Sequence, residues 1–158
     1  MKKQPVFTSV FLILALLSLA IPSPVSAHNE PVGDRISLYY PQVDFPAGTP
    51  FHIFHGWVQT SDDEAIGIFD FTLEVDGDLR SEDFKQFSAE SGEPDLLRRL
   101  WVYNFPEGMT GMHTFTGHWY APCQYAVDWL GYPGPCATAN EKVETNSRTT
   151  IVNFYLVP

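Results

Sequence analysis

Five histidines and two cysteines carry most of the chemistry available to this chain of 158 residues, and their spacing narrows what that chemistry can be. His52 and His55 lie three apart in His52-Ile53-Phe54-His55-Gly56-Trp57. On a helix they would share a face and could serve one metal. The segment reads as a strand, where a spacing of three sends side chains to opposite faces. Phe51, Ile53, His55 and Trp57 are expected on one face, with His52, Phe54 and Val58 on the other. One of these histidines is then expected as a hydrogen-bonded or half-buried ring. His113 and His118, five apart, diverge in the same way. Cys123 and Cys136 are even in number, so an oxidising compartment would pair them in one disulfide. The motifs of serine hydrolases (Gly-x-Ser-x-Gly), zincins (His-Glu-x-x-His), P-loops and Rossmann domains are missing. Carboxylates are plentiful, but nothing sets two of them 5 to 10 Å apart as glycoside hydrolysis needs. The expectation is a protein that is not an enzyme.

The compartment is read from the first 27 residues. Lys2 and Lys3 precede an apolar run from Val6 to Ile21, and Val25-Ser26-Ala27 offers the small residues of a signal-peptidase site. At about 16 residues the run is short for a membrane span, which needs roughly 20. The expectation is a cleaved signal peptide (1–27) and a single secreted or cell-envelope domain (28–158), with no span left after cleavage. Removing Lys2 and Lys3 from the nine Lys and Arg leaves seven cations against 19 Asp and Glu, a net charge of −12. Such a surface disfavours nucleic acid, which needs basic residues for its phosphates.

The elements that must position these side chains are strands. Phe69, Phe71, Leu73 and Val75 alternate with Asp70, Thr72 and Glu74, leaving one face apolar and the other wet. Asp76-Gly77-Asp78 makes a turn. Further strands are expected over 35–40, 49–59, 97–105, 112–120 and 148–157, with a weaker one around Leu79 or Phe84. Residues 81–90 could instead form one short helix, with Phe84 and Phe87 on one side. The fold class is therefore all-β, an antiparallel sandwich of about seven strands.

The segment 105–120 sharpens that expectation. His113, Phe115, Gly117 and Trp119 alternate on one face directly after the turn Phe105-Pro106-Glu107-Gly108. This resembles the penultimate strand of immunoglobulin-like and fibronectin type III-like domains. There a polar ring, usually Tyr, bonds back to a Gly-rich corner, and His113 would take its place. The last strand would put Val152, Phe154 and Leu156 inward.

Two kinds of site follow. The connection 121–147 is far longer than a hairpin needs. A Cys123–Cys136 bridge would close a 14-residue ring holding Tyr125, Trp129 and Tyr132, and would contribute roughly 3 kcal/mol. Rigid aromatics on a braced loop suit recognition of an extracellular protein or glycan; the same rings could instead plug the sandwich end. In an immunoglobulin-like topology this loop shares its end with the one between Gln59 and Ile66, which carries Asp62, Asp63 and Glu64. The alternative site begins at His28, the first residue after the expected cleavage. A terminal amine and its own imidazole can chelate copper with a second histidine, as histidine-brace monooxygenases and periplasmic copper carriers do on similar sandwiches. His52, His55, His113 and His118 are the candidates for that second ligand. The copper carriers' late Asp-x-His is missing. Neither Ser61-Asp62-Asp63-Glu64 nor Asp76-Gly77-Asp78 has EF-hand spacing, so calcium ranks below copper, and the leading expectation is no cofactor.

Overall fold

The computed structural model describes residues 30–60, 68–90 and 93–158, with the side chains of 59–60, 87–90 and 93–97 left aside. The expected signal peptide, His28 and the acidic run 61–64 lie outside the described residues. The strands are β1 (Asp34–Arg35), β2 (Gln42–Pro46), β3 (Phe51–Thr60), β4 (Asp70–Val75), β5 (Asp78–Arg80), β6 (Phe84–Glu90), β7 (Glu93–Phe105), β8 (Gly111–Pro122) and β9 (Lys142–Tyr155), with one helix, α1 (Cys123–Trp129). They form two sheets, β1-β3-β7-β6 and β2-β9-β8-β4-β5. The fold is all-β, as the alternation requires.

Three expectations change. The sheets are mixed rather than wholly antiparallel: β1 runs parallel to β3 and β2 parallel to β9. Residues 84–90 are strand, not helix, because they complete an antiparallel ladder on β7. The segment 35–40 is strand only at its start. After Arg35 the chain leaves β3, buries Ile36 and Leu38, and crosses to the other sheet to become β2.

The inward faces of the two sheets share one core. Phe51, Ile53, Trp101 and Tyr103 from one sheet meet Phe71, Leu73, Phe115 and Val152 from the other. Each large apolar side chain buried this way contributes about 1.5–3 kcal/mol. Phe51 stacks on Phe105 with centroids 4.4 Å apart and meets Phe115 edge-on at 6.1 Å, the offset and T-shaped arrangements that ring quadrupoles favour. The Tyr103 hydroxyl donates to the Phe71 carbonyl at 3.3 Å, and burial pushes its ionisation upward.

One end of the sandwich is closed by polar bonds. Gly108 takes φ +65° in the turn after β7, and its N–H donates to the Phe105 carbonyl at 3.1 Å. A side chain at Gly108 would meet the Gly48 carbonyl carbon at 2.6 Å, so only glycine fits. Beside it, His113 Nε2 donates to the Thr110 carbonyl at 3.0 Å, the bond back to the corner expected of this ring. His113 Nδ1 meets Asp76 Oδ2 at 2.6 Å, and Asp76 Oδ1 accepts the Thr114 N–H at 2.8 Å. These bonds hold Asp76 in a left-handed conformation at φ 54°. The Thr114 N–H first, and the His113 ring second, hold its carboxyl below the usual carboxylate range.

Candidate functional site

The opposite end of the strands carries the features with chemistry left over. β8 passes directly into α1, a helix of seven residues. A helix this short is marginal alone, and non-local bonds hold it. Cys123 N–H donates to the Glu141 carbonyl at 2.8 Å and Gln124 N–H to the Ala139 carbonyl at 3.0 Å. Cys123 and Cys136 form the expected disulfide, with Cα atoms 5.7 Å apart. The connection is thus shorter than 121–147: residues 121–122 extend β8, and 142–147 belong to β9.

The three aromatics of this ring divide. Tyr125 turns inward and meets Phe69 edge-on at 5.0 Å. Together with Tyr132 and Cys136 it packs on a second small core of Phe69, Ala121, Cys123, Ala126 and Val143. Both tyrosines therefore plug the sandwich end. Trp129 points the other way and is 76% exposed, with Val127 and Leu130 exposed beside it. On the helix, Gln124 Nε2 donates to Asp128 Oδ1 at 2.9 Å.

A second feature lies along β3. β1 pairs with β3 only as far as His52, and β2 pairs with β9 only from Ile151 onward. Among the described residues, β3 beyond those points has a strand neighbour only in β7, and β9 only in β8. A cleft of about 230 Å³ opens at this free edge of β3, lined by Arg35, Tyr39, Phe54, His55, Trp57 and Arg98 among others. The Arg35 guanidinium lies 4.0 Å from the centre of the Phe54 ring. Arg148, from β9, lies 4.9 Å from the centre of the Tyr39 ring. Both are within cation–π range. His55 is only 4% exposed, and its Nε2 has no hydrogen-bond partner among the described residues. Burial first, and the charges of Arg35 and Arg148 second, lower its pKa to about 4.

The other histidines do not converge. His52 and His55 take opposite faces of β3, as spacing requires; His52 Nδ1 donates to the Val32 carbonyl at 2.9 Å beneath the N-terminal segment. His118 stands on the outer face of β8 between Glu144 (3.3 Å) and Glu74 (3.7 Å). Among the described residues no three His, Cys, Asp or Glu side chains are grouped to hold a metal ion. Asp76 of the turn expected as a weak calcium candidate is committed to Thr114 and His113. The aromatic ring and His55 were singled out by residue type. The cleft around His55 was not, because Arg35, His55 and Arg148 come from three distant stretches of chain.

No family model, curated protein or solved structure matches the chain.

Proposed function

We propose that this chain is an exported, non-enzymatic binding module of immunoglobulin-like architecture that recognises a protein through the disulfide-closed segment between β8 and β9. The strand order supports the architecture. Read in chain order, β1-β3-β7-β6 over β2-β9-β8-β4-β5 follows the A-B-E-D and A′-G-F-C-C′ order of immunoglobulin-like sandwiches, with the two-residue β1 departing from it in running parallel to β3. The His113 bond to Thr110 supports it at the corner. On that reading the β8–β9 connection occupies the F–G position, one of the loops antibodies use for recognition. Among the described residues no helix is long and apolar enough to cross a membrane, and a disulfide belongs in an oxidising compartment.

The observation that carries the reading is Trp129. A tryptophan 76% exposed on a segment braced by a disulfide and a packed helix is costly to leave in water and cheap in entropy to use. Its neighbours favour protein over glycan. Val127 and Leu130 extend the surface with aliphatic groups, and an apolar patch of this kind suits a protein better than a sugar. The partner would present an apolar socket with a basic rim, to suit an acidic chain. The test is capture by the wild-type domain and by Trp129→Ala. The variant should fold equally well and lose the partner. Equal capture by both would refute the reading, and retention on a polysaccharide matrix dependent on Trp129 would transfer it to glycans.

A further inference from the structure

The cleft at the free edge of β3 concentrates positive charge in a chain that otherwise has little. Of the seven basic residues in 28–158, Arg35 and Arg98 line it and Arg148 flanks it. Other cations are spent elsewhere: Arg80 pairs with Asp83, Lys85 with Glu82 and Lys142 with Asp70. Arg98 has interactions of its own, so the argument rests on Arg35 and Arg148, neither of which meets a carboxylate among the described residues. Each instead lies over an aromatic face, Arg35 on Phe54 and Arg148 on Tyr39. That arrangement restrains long side chains that would otherwise lose entropy on binding.

His55 supplies the second, independent observation. A buried polar nitrogen without a partner is costly, and such atoms in native folds call for an explanation. The His55 residue lines a cleft large enough for a small ligand group, with Nε2 itself on the closed side of the ring. The backbone explains why the cleft exists. β1 ends after two residues and β2 begins only at Gln42, so among the described residues the crossing segment forms no strand ladder on β3 or β9 between them.

We propose that this cleft binds an oxyanion, the carboxylate, sulfate or phosphate group of a small ligand, with Arg35 and Arg148 balancing its charge beside the His55 ring. Guanidinium forks suit all three groups, and the neutral His55 ring adds no charge of its own to the site. The site is separate from the surface assigned to Trp129 and stands or falls without it.

The experiment is an NMR titration of the folded domain, following the His55 ring signals at constant ionic strength, with sodium sulfate, inorganic phosphate and sodium glucuronate in separate arms. At least one arm should give a saturable shift at His55, and the strongest arm tells a tetrahedral anion from a carboxylate. Arg35→Gln should weaken that binding about tenfold, the loss of one charge-assisted contact. Lys85→Gln, the same change of net charge two strands away, should leave it unchanged. Should Arg35→Gln fail to fold, Arg148→Gln, whose side chain is exposed, reads the same loss. Linear shifts in every arm, or equal weakening by Lys85→Gln, would overturn the proposal, because general charge or water filling the cleft would then suffice.

Discussion

The two ends of the sandwich use polar groups in opposite ways. At the Gly108 corner, His113 and Asp76 satisfy each other and the backbone at Thr110 and Thr114. At the other end Trp129 stands in solvent, and along the β3 edge between the ends His55 keeps an unpartnered buried nitrogen and two arginines lie on aromatic rings without carboxylates among the described residues. The corner spends its chemistry on the fold. The open end and the β3 edge hold groups that the fold does not consume, and the proposed binding surfaces rest on that difference.

The comparison can be broken at several points, taken from the largest expected effect. Replacing Cys123 and Cys136 together by serine should cost about 3 kcal/mol through the unfolded state and release α1, since the bridge and two backbone bonds hold it. Urea unfolding measures the cost, and amide exchange in 123–132 reports the helix. An unchanged midpoint would mean the ring is not what braces this end.

His55 gives a pH test. Its folded pKa of about 4 lies below the unfolded value near 6.5. Between these values the unfolded chain binds more protons than the folded one, so stability rises with pH. The contribution is fully present above about pH 6.5 and is lost as pH falls toward 4, with an upper limit of roughly 3 kcal/mol. Chemical denaturation of wild type and His55→Leu across that window should show this slope in the wild type alone. Parallel curves would place the titration elsewhere.

Asp76 gives the corner's counterpart. Its lowered folded pKa means stability that is present above the unfolded value near 3.9 and lost as pH falls through the folded value. Asp76→Ala should cost about 1 kcal/mol at neutral pH, scaled down for a carboxylate half in solvent. The difference from wild type should vanish in acid, below the range where His55 acts. Trp129→Ala should change stability least, within about 0.5 kcal/mol, since an exposed ring contributes little to the core. A larger loss would make Trp129 part of the plug rather than the surface.

Much of the fold was legible because it is local. The Phe69–Val75 alternation became β4, the His113 corner formed as its residue type and turn suggest, and the two cysteines paired. β2 was not visible, since Gln42–Pro46 lies between prolines that read as breakers and pairs in parallel with a strand over a hundred residues later. α1 escaped because seven residues carry too little periodicity, and its support comes from Ala139, Glu141 and the disulfide. Within the aromatic ring, residue type alone could not tell Tyr125, drawn inward by Phe69, from Trp129. The cleft was least legible of all, because it depends on where β1 stops and where β2 starts.

The central claim, that partners meet the open end and not the corner, is tested most directly by site-specific photo-cross-linking. A photoreactive side chain is placed at Trp129 in one sample and at Met112, which is exposed near the corner, in another. The account predicts one discrete cross-linked protein from position 129, competed by unmodified domain, and none from position 112. The same adduct from both positions, or from position 112 alone, would contradict it.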